Sequence, residues 1–145
     1  MRAAMIRLRE RAAGDEDGSI LILTLGYAVL AIAVILVCVD ATSLYLAQKR
    51  LDALADAAAL AGADGFTLVV DSGHPRAELT DDGVREQADA LVGDVGGGVV
   101  VDAGTPDGVS ARVTVVHMWR PPIVALFVPD GVALEATATS RTALR

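Results

Sequence analysis

Cysteine is almost absent from this sequence: Cys38 is the sole one among 145 residues, so no intrachain disulfide can form. Aromatics make up only 3%. A core must then be built from Val, Leu and Ala, and stacking platforms for bases or sugars are scarce. The two histidines, His74 and His117, form no His-x-x-x-His pair, and with no second cysteine a zinc site has no support. No serine sits in a nucleophile elbow, and no pair of carboxylates comes with a partner motif. Catalysis and cofactor chemistry are therefore not expected. Positive charge is short as well. From Asp40 onward 15 acidic residues face 8 basic ones, a net −7 with no Lys/Arg cluster, and such a surface repels phosphates and argues against nucleic acid.

The longest absence is of charge itself. Ile20 to Val39 contains no charged residue, and only Thr24, Tyr27 and Cys38 carry a polar side-chain atom. About 20 residues at 1.5 Å each reach roughly the 30 Å of a bilayer's hydrocarbon core. The run holds 13 Leu, Ile or Val residues, which at roughly −0.3 to −0.6 kcal/mol each favour insertion by about 4 to 8 kcal/mol. A soluble core helix rarely stays apolar on every face for so long. A removable secretory signal would have a shorter apolar region and a small-x-small cleavage site. Lipid attachment at Cys38 would want a small residue where Val37 stands. A membrane span over residues 19–39 is the expectation, with Cys38 a buried membrane-face thiol and Asp40 at the outer boundary, solvated by headgroups and water or, on the less simple reading, held in a specific salt bridge.

Arg2, Arg7, Arg9 and Arg11 precede the span, whereas Lys49 and Arg50 are the only basic residues close after it. The positive-inside rule then places residues 1–18 in the cytoplasm and the C-terminal part outside, at a cell membrane crossed once.

Neither proline nor glycine follows Val39 until Gly62, and the composition is rich in Ala and Leu. One helix is expected from Ser19 to Ala63, with 40–63 as its extracytoplasmic continuation. Leu44, Ala47, Leu51, Leu54, Ala58 and Ala61 recur at alternating spacings of three and four. This is a heptad-like packing face, open to the chain's own domain or to other subunits.

The remaining residues, 64–145, are expected to form a small α+β domain. Phe66 to Val70 reads as a strand and Asp71 to Pro75 as a turn. A helix N-capped by Thr80 follows, with Val84, Ala88 and Leu91 on one face and Gly93 at its end. Gly96, Gly97 and Gly98 are followed by strand residues, not by the helix a phosphate loop needs, and read as a flexible turn. Val99 to Asp102 and Val109 to His117 form a hairpin across Pro106, Asp107 and Gly108, with Val109, Ala111, Val113, Val115 and His117 on one face. Val132 to Thr139 supplies a third antiparallel strand, and the sheet packs on the two helices. His117 reads as structural and His74 as a solvated turn residue. The connection MWRPPIVALFVPDG brings Trp119, Ile123, Leu126 and Phe127 together. It reads as a lid over the end of the sheet or as a hydrophobic contact for a partner subunit or the membrane surface.

Gly18-Ser19 opening the apolar run, Val39-Asp40 at its end, and SLYLAQKRLDALADAAALAGA from Ser43 to Ala63 together resemble the TadE/TadG-like proteins of Flp-type, or tight-adherence, pilus assembly. The likeness covers about the first 65 residues. It rests on Leu44, Tyr45, Ala47, Arg50 and Leu51, and on the run from Ala55 to Ala63. It implies a pilin-like or pseudopilin-like structural or accessory subunit, anchored by its N-terminal helix beside other pilus or secretion subunits, as a homo- or hetero-oligomer. Members cleaved by a prepilin peptidase carry a glutamate five residues after the glycine. Here Leu23 stands there, which counts against cleavage between Gly18 and Ser19 and against a polymerising subunit. The TadG-like branch is closer at that point and often carries a large additional C-terminal domain; the 145 residues hold none of that size. The alternative from another class is a free-standing membrane-anchored binding module.

Overall fold

The computed structural model describes residues 2–71, 74–123, 125 and 128–141, the side chains of 2–17 and 71–76 excepted. The protein is α+β: a long helix, two small antiparallel sheets and a second helix. It divides into two compact units, Met1–Asp40 and Ala41–Arg145.

The first unit consists of helix α1, whose full bounds are Arg2–Asp64. Every residue from Gly18 to Val39 is exposed, because the helix has apolar side chains on all sides and no second element in its unit to cover them. Thr24 Oγ1 donates to the Ile20 carbonyl at 2.8 Å, which satisfies the hydroxyl within the helix without water. The helix is thus long enough and apolar enough to cross a membrane. Cys38 is exposed on it. Asp40 is buried, contrary to the expectation of a solvated boundary residue.

In the second unit α1 changes character. Leu51, Leu54, Ala55, Ala58, Ala59 and Ala63 are buried at helical spacing, forming one stripe that faces the domain. Gln48 Nε2 donates to the Glu135 carbonyl at 3.2 Å and Trp119 Nε1 to Ser43 Oγ at 3.2 Å, which ties this part of the helix to the sheet.

Two strands, β1 (Thr67–Asp71) and β2 (His74–Glu78), form a separate antiparallel pair. Helix α2 (Asp81–Val95) starts at Thr80, which has an extended backbone and whose Oγ1 accepts the Gly83 N–H at 3.2 Å. Asp81 and Asp82 lie in the first turn, where the helix dipole favours negative charge. Strands β3 (Val99–Gly104), β4 (Ser110–Trp119) and β5 (Val132–Arg141) make the second sheet in that order. Their register runs Val100 to Val115 to Ala136, with a bulge between Val100 and Asp102. One core joins Val84, Ala88 and Val92 of α2 with Ala111, Val113 and Val115 of β4 and Leu134, Ala136 and Ala138 of β5, all against α1. Each buried Leu or Val stabilises by about 1.5–3 kcal/mol.

Several boundaries differ from those the sequence suggests. The first strand runs Thr67–Asp71 rather than 66–70, and His74 and Pro75 belong to a second strand rather than to a turn. Both strands of this pair are edges, where a residue without an N–H is tolerated. Helix α2 passes Gly93 and ends at Val95, because Gly96 supplies the positive φ and its N–H reaches the Val92 carbonyl at 2.8 Å. Its buried residues are Val84, Ala88 and Val92, four apart, and Leu91 is only half-buried. The sheet strands extend beyond the expected ends, to Gly104, Trp119 and Arg141, while Val109 stays in the turn before β4. Helix α1 begins well before Ser19 and ends at Asp64.

Candidate interaction surface

The sequence-derived packing face of α1 is split by the structure. Leu51, Leu54 and Ala58 lie in the domain core, Ala47 and Ala61 are half-buried, and Leu44 is 36% exposed. The opposite side of the helix, including Leu46, Ala53 and Leu60, is exposed.

Beside that boundary lies an apolar groove of about 540 Å³. Its floor is α1, with Arg50, Ala53 and Ala57; its walls are Leu91 and Val95 at the end of α2, the glycine turn, and His117 of β4. The three glycines have separate reasons to be there. Gly96 and Gly97 hold φ of 73° and 89°, the left-handed region that other residues resist. A Cβ on Gly98 would lie 3.2 Å from Leu54 Cδ2 and 3.3 Å from the Val116 carbonyl. The turn thus packs against α1 at Gly98.

Polar order is concentrated at the other end of the domain. Asp81 Oδ1 accepts the Thr105 N–H at 2.7 Å. Asp107 accepts from Val109 N at 3.1 Å, Ser110 N at 2.6 Å and Ser110 Oγ at 2.9 Å. The Val109 N–H, then the Ser110 hydroxyl and N–H and the positive charge of Arg141, hold the Asp107 carboxyl below the usual carboxylate range against an opposing effect of burial. On the exposed helix, Lys49 pairs with Asp52 at 3.1 Å. Hydrogen bonds from Gln48 and Lys49 lower the Asp52 pKa, and the bond to Asp52 raises that of Lys49. These contacts complete turns and helix faces; they do not converge on a reactive group. Among the described residues no three of His, Cys, Asp and Glu are grouped as a metal site would require.

Of the apolar loop, Trp119 is half-buried against the core and Ile123 is 40% exposed, whereas Leu126 and Phe127 lie outside the described residues. Gly18 and Ser19 are exposed on α1.

The described residues thus offer an apolar helix, a helix-led domain and a groove. Residues 18–65 match the Tad family model, Flp pilus-assembly TadE/G-like. No curated protein and no solved structure matches the chain. The TadE/G-like segment coincides with α1 from Gly18 and its exit from the helix, and the structure gives its final residues a physical role. A Cβ on Gly62 would lie 2.9 Å from Val84 Cγ1 and 3.3 Å from Ala111 Cβ. Gly62 thus marks a close approach of α1, α2 and β4. The groove was not legible in advance, since its lining comes from three elements and a turn; only the run of three glycines after a helix marked it.

Proposed function

We propose that the protein is a membrane-anchored, pilin-like or pseudopilin-like subunit, structural or accessory, of a Tad/Flp pilus assembly or a related secretion system. The observation that carries this is the TadE/G-like match over 18–65, which takes in both the apolar span and the small-residue part of α1 that seats the domain. The span over 19–39 holds the subunit in the cell membrane with its N-terminus in the cytoplasm. The domain beyond it offers its surface to neighbouring pilus or secretion subunits. The role is mechanical and no catalytic step belongs to it.

Purification of the tagged protein from crosslinked membranes of its native host is the test. Recovery in fixed ratio with pilus-machine proteins is expected; recovery free of them would overturn the proposal. Intact mass of the same sample separates its two forms. A chain beginning at Ser19 is a processed minor pilin, and a chain retaining residues 1–18 is a permanently anchored assembly factor. A free-standing binding module is favoured by one feature, the 540 Å³ groove. A monomer that retains a small ligand in native mass spectrometry, with no pilus protein beside it, is its signature.

A further inference from the structure

The three side chains of the apolar span that carry a polar atom share one side of the helix. Thr24, Tyr27 and Cys38 fall with Ile20, Ala31 and Val34 at spacings of four, three, four, three and four, the seam along which two helices pack as a left-handed pair. All six are exposed on α1. Tyr27 lies about 12 Å inside the nearer end of the span, counted from Ser19 at 1.5 Å per residue. Lipid offers its hydroxyl no hydrogen bond there. Thr24 is satisfied within the helix, since its Oγ1 donates to the Ile20 carbonyl at 2.8 Å. Tyr27, 65% exposed, makes no such bond among the described residues, and a tyrosine hydroxyl taken out of water ordinarily has a partner.

We propose that this seam pairs with the same seam of a second copy, each Tyr27 hydroxyl donating to Thr24 Oγ1 of the facing helix. Donor and acceptor are both defined. The Thr24 proton is committed to Ile20, which leaves its oxygen as an acceptor, and Tyr27 supplies the O–H. Height agrees, because side chains on a helix lean toward its N-terminus and a Tyr27 ring therefore lies over the preceding turn, level with Thr24. Room agrees too. In a parallel pair the positions facing a Tyr27 knob are Thr24, Ala28 and Ala31 beside Tyr27 itself, and the two alanines leave space for the ring.

Both bonds form at once only on a surface with the same donor and acceptor in the same order, which is the chain's own. The contact is thus isologous and closes at two copies. Copies inserted by one charge rule point the same way, as a parallel pair requires. The pairing rests on the membrane span proposed for residues 19–39 and adds what that span touches besides lipid; it does not depend on the pilus machine.

Cys38 ends the seam and reports on it. The test uses the purified full chain in phosphatidylcholine vesicles at high lipid excess, washed at alkaline pH, oxidised with copper phenanthroline and run on non-reducing gels. Facing Cys38 thiols should join as one disulfide, their two electrons passing to the oxidant and their two protons to water, and give dimers. In a Cys38→Ser background, Val34→Cys on the seam should crosslink about fivefold faster or more than Leu36→Cys on the far side, although it lies deeper in lipid. Tyr27→Phe and Thr24→Val keep shape and remove the bond from both copies. Each should weaken dimerisation about fivefold or more, and the double variant no further. Chain released by the wash overturns the span and the pairing together, whereas chain that stays in the vesicles without crosslinking overturns the pairing alone. Equal rates for Val34→Cys and Leu36→Cys also overturn it, as do Tyr27→Phe dimers as strong as wild type's. The same holds for a Cys38 adduct with another protein in place of the dimer in native membranes.

Discussion

Gly62 shows how one missing side chain sets the distance between elements. Alanine there would gain roughly 1 kcal/mol of helix propensity, but its Cβ would lie 2.9 Å from the fully buried Val84. Valine adds further atoms in the same place and loses propensity. Gly62→Val should cost about 1–3 kcal/mol of stability through overpacking, read as a lowered denaturation midpoint of the full chain. Asp107 acts through charge rather than volume. Its folded pKa is lowered by the N–H and O–H groups it accepts from, so the ionised form stabilises the fold above the unfolded pKa of about 4. That contribution is lost as pH falls through the lower, folded value. Asp107→Asn keeps an acceptor oxygen but cannot titrate. Its melting temperature should therefore fall less than wild type's between about pH 5 and pH 2, as thermal scans at both pH values would register.

Among the elements, helix α1 was the most legible and the first β-pair the least. A charge-free run followed by small apolar residues without proline specifies a helix by local chemistry alone, and the structure continues it to Asp64. Strands β3, β4 and β5 were readable because their alternation matches a sheet with one buried face. His74 and Pro75 misled because a Ser-Gly pair with a proline two residues on reads as a turn; only the edge position in a two-stranded pair makes it a strand. The heptad stripe holds both buried and exposed residues, since periodicity gives a face but not its partner. Within the second unit α1 is a core element on one side, which separates two leucines of identical chemistry. Leu51→Ala, at 2% exposure, should cost about 2–5 kcal/mol. Leu60→Ala, at 56% exposure, should stay within about 0.5 kcal/mol. Chemical denaturation of both variants, monitored at Trp119, measures the difference.

At the scale of the whole molecule, two kinds of burial divide the chain. The second unit builds a core of its own, whereas the first exposes every residue from Gly18 to Val39. The length and apolar composition of that stretch fit a bilayer. The balance is narrow enough to reverse. Thirteen Leu, Ile and Val residues between Ile20 and Val39 favour insertion, together by about 4 to 8 kcal/mol. An arginine at the centre of a span costs about 2.5–3.5 kcal/mol. Exchanging two central residues thus removes their favourable share and adds about 5 to 7 kcal/mol of penalty. Leu30→Arg combined with Val34→Arg should release the protein from the alkaline-washed membrane fraction. The domain's fold should persist, because neither position lies in its core. Leu46→Arg with Leu60→Arg, equally exposed but on the second unit's stretch of α1, should leave it membrane-bound. If both pairs behaved alike, the helix would be held by protein contacts rather than by lipid, and the anchoring proposed for residues 19–39 would fail.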